Sequence, residues 1–506
     1  MAFVFSLTFL ITAVQWLPTA QYYLEASREH ASSEFSLDRT VLPWSHLATL
    51  IAPTFFGHPA TGNYWGSGNF TETALFAGSA IFILAVLGWR RSFFNFAALI
   101  ILLIALPTPL TQLFKIVSLP LISTSVISRI LILLPICLVV SAAYGLDQFK
   151  TRQLKKLIVF IGFIFLSLTL IAILEKAHTS ITLRQLVIPA GVSLATLAIL
   201  WLSRYYRLII WLFIPLIFID LGFFAKKTLT FTEKSFIYPQ VPVISFLQST
   251  AGFDRIGAEK ASNITGNLPL YYSLSTVEGY DALYPRRGGE LVWAAQDGKY
   301  KTDFSRSTVV IPQFENQLNQ RIMNLLSLKY IINQNHNLSL AQSDFKLIWQ
   351  QDNWQVYENK QALPRAQLFG QYQIISDTQN AVETLLNPQF DYQHTLILSQ
   401  SPHIDPQPDP TATATITQYQ PQRVSITTQS IKPQLLLLND TYYPGWNATI
   451  DGQPAPILRA NHAFRAVALP IGSHQVVFSY QPLSVKLGGL ITLIGILRVI
   501  IILKKP

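Results

Sequence analysis

Two charged residues stand where a charge could do chemistry. Glu72 lies at the start of the apolar run Thr73–Trp89, and Arg129 directly before the apolar run Ile130–Tyr144. An acid at the mouth of a membrane helix can bind an acceptor, a metal or a basic neighbour; the plainer reading is a helix-start charge favoured by the helix dipole. A guanidinium at such a mouth can hold a lipid phosphate with two nitrogens, or can simply snorkel to the interface. Lys115 shares the loop of Arg129. Asp38 precedes Leu42–Ile51, whose apolar residues have helix-like spacing and suit an interfacial helix that Asp38 would cap. His46 and His58 could touch a phosphate or an acceptor, or be solvated loop residues. Asp220, near the end of the run Leu208–Phe223, is either a functional intramembrane acid or a helix-packing or capping partner. The aromatics Tyr443–Trp446 could stack on a sugar; Pro444-Gly445 also reads as a tight turn with Trp446 in a core.

The elements that must position these groups are membrane helices. Apolar runs occur at Ala2–Leu17, Thr73–Trp89, Phe93–Leu110, Ile130–Tyr144, Leu157–Leu174, Gln185–Leu202, Leu208–Phe223 and Val485–Leu503. A helix needs about 20 mostly apolar residues to cross the bilayer, so these runs predict about eight spans. Only 13% of the 506 residues are charged, and mean hydropathy is +0.34. Those values exclude a disordered chain and argue against a wholly soluble enzyme. The single cysteine, Cys137, excludes an internal disulfide framework and a cysteine-based zinc site, and its apolar surroundings make it a small buried hydrophobe.

The net charge of +10 could mean a nucleic-acid partner or an anionic membrane surface. Its distribution decides. Arg90 and Arg91, the group Lys150, Arg152, Lys155 and Lys156, the pair Arg204 and Arg207, and Lys504 and Lys505 fall at every second junction between spans. That alternation is the positive-inside pattern, against which only Lys226 and Lys227 run. The loops 24–72, 111–129 and 175–184, and the segment 224–484, then face outward. No basic face carries the stacking aromatics that nucleic acid would need, so none is expected as a partner. Met1 opens almost directly into an apolar run with no basic stretch before it, which favours a retained helix over a cleaved signal.

Residues 224–484 are polar and read as a folded extracytoplasmic part. Val241–Gln248, Asn316–Leu328 and Thr378–Leu386 suit helices, and Tyr330–Ile332, Phe345–Trp349 and Trp354–Glu358 suit strands. The organisation expected is a transmembrane bundle of about seven helices over 1–223, an α+β domain over 224–400, a Pro-rich linker at 401–410, a β-sandwich over 411–482 and a last helix at 485–503. The sandwich rests on the period-two runs Ala412–Gln418, Arg423–Thr428, Gln434–Asn439, Asn447–Ile450, Phe464–Leu469 and Gln475–Tyr480.

The block Tyr442-Tyr443-Pro444-Gly445-Trp446, Asp451-Gly452, Arg459-Ala460-Asn461, Phe464-Arg465-Ala466-Val467, His474-Gln475-Val476 and Phe478-Ser479-Tyr480 resembles the C-terminal signature of the bacterial YfhO-like membrane protein family. Gln15-Trp16-Leu17-Pro18, Pro53-Thr54-Phe55-Phe56-Gly57, Ser128-Arg129, Asp220-Leu221 and Gly279-Tyr280-Asp281 look like further landmarks of it. The resemblance implies a polytopic bundle of the GT-C glycosyltransferase architecture in the cytoplasmic membrane of a bacterium. It implies a polyprenyl-phosphate-linked sugar as donor and a cell-envelope polymer as acceptor. A departing phosphate then needs cationic donors, for which Arg129 and Lys115 are the candidates, and an acceptor hydroxyl needs a base. Such enzymes carry a catalytic carboxylate in their first outward loop, after helices that this chain would lack if it begins partway through the bundle. The present loop offers Glu25, Glu29, Glu34, Asp38 and Glu72, of which Glu72 and Asp38 are the catalytic candidates. His58, Asp220 and Trp446 are candidates for acceptor or other contacts. No residue pattern calls for a cofactor or a metal. A non-catalytic protein that scaffolds or binds envelope glycans is the alternative; a transporter is weaker, because no internal repeat is evident.

Overall fold

The computed structural model describes residues 2–27, 41–116, 126–229, 231–258, 266–281, 283–302, 308–309, 317–334 and 344–504. They form two compact units, Ser33–Ile237 and the combination of Met1–Ser32 with Tyr238–Pro506.

The unit Ser33–Ile237 is a helical membrane bundle. Ile127–Asp147, Thr151–Leu174, Thr179–Leu202 and Arg207–Thr228 are each long and apolar enough to cross a bilayer. With Leu483–Leu503 of the other unit, five helices among the described residues qualify, or six if the bent pair Phe3–Ile11 and Ala13–Glu25 is one span. Fewer than the expected eight qualify among the described residues, for local reasons. The run Thr73–Trp89 holds only the nine-residue helix Ser79–Leu87, because Gly78 takes φ +113° and breaks the chain ahead of it. At 1.5 Å per residue that helix is about 14 Å long, less than half the hydrocarbon core. The run Phe93–Leu110 stops at Ala105, since Leu106 precedes a proline and is extended at ψ 158°. The run Ala2–Leu17 is broken near Thr12 by a 74° bend.

Ser79–Leu87 and Leu134–Asp147 touch backbone to backbone. A Cβ on Gly88 would lie 1.8 Å from the Ser141 carbonyl oxygen, and one on Gly145 would lie 2.0 Å from that of Leu84. Small residues let membrane helices approach this closely. Asn95 seals the crossing, accepting from the Ser141 hydroxyl and donating to the Arg90 carbonyl at 2.9 Å. Cys137 is buried in this core, as a small hydrophobe should be.

In the second unit the helix Ala13–Glu25 packs on Leu483–Leu503. Gly488 approaches the Ala13 carbonyl, 2.6 Å from where its Cβ would be, and the Val14 N–H donates to Thr492 Oγ1 at 3.0 Å. Three larger sheets follow. A mixed five-stranded sheet runs Ser275–Thr276, Arg255–Ala258, Leu328–Gln334, Trp354–Asn359 and Phe345–Gln351. A six-stranded sheet runs Ala366–Phe369, Gln434–Thr441, Phe464–Leu469, Leu458–Ala460, Thr395–Leu398 and Gln371–Ile374. A five-stranded sheet of Thr413–Gln420, Arg423–Ser430, Gly472–Tyr480, Trp446–Ile450 and Gln453–Ala455 completes the sandwich. Leu436, Leu438, Val467 and Leu469 of the six-stranded sheet meet Val424, Ile426, Val476 and Phe478 of its partner. The opposite face of the six-stranded sheet, with Leu435, Leu437 and Phe464, packs on helices Arg286–Asp297, Gln317–Leu325 and Thr378–Leu386. Four consecutive leucines at 435–438 therefore mark a strand covered on both sides, not an alternating one.

The expected boundary at 401–410 does not separate two domains. Strands Ala366–Phe369 and Thr395–Leu398, which precede it, hydrogen-bond to Gln434–Thr441 and Leu458–Ala460, which follow it. The Pro-rich stretch is a strap tied to the sheet, where Gln407 N–H donates to the Pro433 carbonyl at 3.1 Å. Proline-rich chain cannot join a ladder, but it can run over one. The expected helix Asn316–Leu328 ends at Leu325, and Leu328 opens a strand.

Candidate functional site

Glu72 and Arg129 meet. Asn69 caps the short turn Phe70–Thr73 by accepting from Thr71 N–H at 3.0 Å, and this sets Glu72 on the first turn. Arg129 sits on the 3-10 turn Ile127–Leu133 that feeds the spanning helix. Its Nη2 and Nε both donate to Glu72 Oε1, at 2.5 and 3.1 Å. The side chains are 59% and 26% exposed, so the pair stays within reach of a ligand.

The loop before Glu72 is tightly packed on itself. Gly57 takes φ +79°, and a Cβ there would lie 2.1 Å from the Asn63 carbonyl oxygen. Asn63 Oδ1 accepts from His58 N–H at 2.9 Å and from the Thr61 hydroxyl at 2.7 Å. His58 is buried edge-on to Phe70, its Nδ1 accepting from Ala60 N–H at 3.1 Å. Burial, helped by the nearby Lys227 charge, pushes its pKa down. His46 is buried in a stack on Phe56, and burial lowers its pKa to about 4. Neither histidine is the solvated residue of the plainer expectation. The expected interfacial helix at 42–51 is a 3-10 helix, Trp44–Leu50, with His46, Ala48 and Thr49 buried.

Asp220 is buried and caps a helix. Its Oδ2 accepts from Ser79 N–H at 2.6 Å and from Ala80 N–H at 3.4 Å, satisfying donors at the positive end of Ser79–Leu87. It also lines a cavity of about 370 Å³ with Arg184, Gln185 and Lys227. Asp38 and the side chain of Lys115 lie outside the described residues.

In the other unit, Trp446 opens a strand after a turn in which Gly445 takes φ +100°. A Cβ at Gly445 would lie 2.9 Å from Pro482 Cα, so glycine is required there. The Arg465 guanidinium lies 3.8 Å above the Trp446 ring, and Tyr480 packs beside it. This arginine belongs to a cluster that sequence reasoning did not single out. Asp440 accepts from Arg365 Nη2 at 2.6 Å, Arg465 Nη2 at 3.0 Å, Arg255 Nη2 at 3.2 Å and the Tyr419 hydroxyl at 3.0 Å. Although burial acts to raise the Asp440 pKa, the three guanidiniums hold it below the usual carboxylate range. The available signal was the place of Arg465 within the YfhO-like block.

A second buried pair was also missed. His462 Nε2 donates to Glu290 Oε2 at 2.6 Å, and Arg286 Nε donates to Oε1 at 2.8 Å. Burial opposes it, but the hydrogen bonds and charges of His462 and Arg286 lower the Glu290 pKa below 4.5. Burial, with help from Arg287 and Arg459, lowers that of His462 below 6.5 despite the carboxylate. Tyr300 also donates to Glu290, at 3.2 Å. Both folded values lie below the unfolded ones, so the unfolded chain takes up more protons as pH falls. The pair's stabilisation is complete above pH 6.5 and is lost on acidification, through His462 first and then Glu290. We expect the unfolding midpoint to fall between pH 7 and 5, and His462→Gln to flatten that dependence; identical profiles for the two proteins would refute the assignment.

Among the described residues, no group of three or more His, Cys, Asp or Glu side chains could hold a metal ion. No curated protein and no solved structure matches the chain. The family model described as "Bacterial membrane protein YfhO" matches residues 1–413 and again 409–492. With its spanning helices, its sandwich and a match over almost its whole length, the chain belongs to the YfhO family of bacterial membrane proteins.

Proposed function

We propose that this protein is a membrane glycosyltransferase of GT-C type. It takes a sugar from a polyprenyl-phosphate donor and transfers it to a cell-envelope glycopolymer on the outer side of the cytoplasmic membrane, where residues 224–484 also lie. The pairing of Glu72 with Arg129, at the start of a spanning helix, carries this reading. A guanidinium whose Nε and Nη2 face one carboxylate oxygen can offer the same fork to a phosphate. Donor binding would draw Arg129 onto the phosphate and release Glu72. Glu72 then removes the proton from the acceptor hydroxyl, that oxygen bonds to the sugar carbon, and the carbon–oxygen bond to phosphate breaks. Arg129 stabilises the charge left on the departing phosphate. Asp38 is the second candidate base and Lys115 the second phosphate cation. Asp220 and His58 act through their hydrogen bonds, by fixing the helix Ser79–Leu87 and the loop ahead of Glu72.

One observation favours a non-catalytic alternative, in which the protein scaffolds or binds envelope glycans. A base must be free, yet Glu72 Oε1 already accepts from two nitrogens of Arg129. Sugar transfer from a polyprenyl-phosphate donor, assayed with purified protein, separates the readings. Glu72→Gln and Arg129→Ala should each lower turnover about 100-fold. Undiminished turnover in both variants removes the site; glycan binding without turnover in the unsubstituted protein selects the alternative. Protease added to sealed, right-side-out vesicles should cleave within 224–484, and protection of that segment would sink both.

A further inference from the structure

Asp440, Arg255, Arg465 and Tyr419 line a groove of about 870 Å³, and we propose that this groove binds a phosphate-headed lipid. The charges there do not balance. Arg255, Arg365 and Arg465 converge on the single carboxylate of Asp440. Their side chains are 12%, 3% and 3% exposed, and that of Asp440 is 9% exposed. Three cations and one anion leave an excess of two positive charges away from water, which is costly without a further anion. Arg255 and Arg365 place one nitrogen each on a backbone carbonyl, of Leu326 and Phe253. Arg465 does not: its Nε and Nη1 are buried and find no hydrogen-bond partner among the described residues. The other carboxylate lining the groove, Asp281, accepts from Leu283 N–H at 3.2 Å.

The rest of the groove is suited to a lipid. Val14 and Pro18 of the helix Ala13–Glu25 and Val485, at the start of Leu483–Leu503, form an apolar wall beside the arginines. Leu483–Leu503 is long and apolar enough to enter a bilayer, so a ligand there would have its charged end at the β-sandwich and its chain along membrane helices. The volume far exceeds that of one phosphate and falls in the range of sites for medium-sized ligands. A planar guanidinium held against an aromatic ring, with donors to spare, is suited to a phosphate oxygen. This site does not depend on sugar transfer or on Glu72.

Titration calorimetry on the full chain in detergent, with farnesyl phosphate, farnesol and inorganic phosphate as separate probes, tests the proposal. Farnesyl phosphate should bind saturably, and the other two at least tenfold more weakly. Arg465→Gln should weaken farnesyl phosphate about tenfold. Val14→Trp, which fills the apolar end and leaves the charges in place, should weaken it too, so a folding defect at Arg465 does not decide the matter. Whatever binding the Glu72–Arg129 site adds is lost in Arg129→Ala, and the saturable binding that remains in that variant should still be weakened by Arg465→Gln, which separates the groove from the transfer reading. Equal binding of farnesol would reduce the groove to a greasy surface, and equal binding of inorganic phosphate would remove the lipid. No saturable binding of farnesyl phosphate overturns the proposal.

Discussion

Replacing Asp440 with alanine is expected to destabilise the protein by about 3–5 kcal/mol, the range for removing one partner from a buried ion pair. The size follows from what remains. Arg365 and Arg465, almost wholly buried, and Arg255, largely so, would face one another with no carboxylate between them. The Tyr419 hydroxyl would lose its acceptor as well. These residues come from the mixed sheet, from both sheets of the sandwich and from strands far apart in the chain, so their repulsion would act across the whole fold of that unit. Thermal unfolding of the full chain, followed by near-ultraviolet dichroism of its aromatics, measures the loss. An unchanged midpoint would mean that the network does not hold the unit together.

Gly145→Val is expected to cost at least about 3 kcal/mol, the upper end of ordinary overpacking penalties. The first added carbon would lie 2.0 Å from the Leu84 carbonyl oxygen and 2.8 Å from Gly88 N. Both are backbone atoms of or beside a short helix, and they cannot swing aside as a flexible side chain would. The helices would have to separate, breaking the crossing that Asn95 and Ser141 seal. Gly162→Ala is the control: nothing lies within 4 Å of that added carbon, and alanine favours helix. We expect Gly145→Val to lose the monodisperse species in size-exclusion chromatography while Gly162→Ala keeps it. Intact behaviour of both would refute the close contact.

The long helices were legible because one signal, sustained apolarity, sets both their type and their length. It failed where apolarity continued but the backbone did not, at Gly78 and ahead of Pro107. The strands after residue 411 could be read from period two, except that the leucines at 435–438 hid a second covered face. Glu72 and Arg129 could be selected one by one, from residue type and place at a helix mouth. Their pairing could not, since they are 57 residues apart and belong to different elements. The Asp440 cluster is harder still: its arginines lie 25, 75 and 185 residues away, and a lone arginine on a strand gives no sign that it is buried.

The seam between Ala13–Glu25 and Leu483–Leu503 sets a schedule for biogenesis. The hydrogen bond from Val14 to Thr492 joins residues 478 positions apart. At a synthesis rate of about 5–20 residues per second, the earlier helix waits roughly half a minute to a minute and a half for its partner. During that interval its surface around Ala13 lacks the partner that Gly488 provides. The later helix meets it with Gly488, and meets the preceding helix Ala2–Ile11 with Gly495; the bare backbone of both lets the helices close without displacing a large side chain. The seam of that unit can thus close only after Leu483–Leu503 has been made.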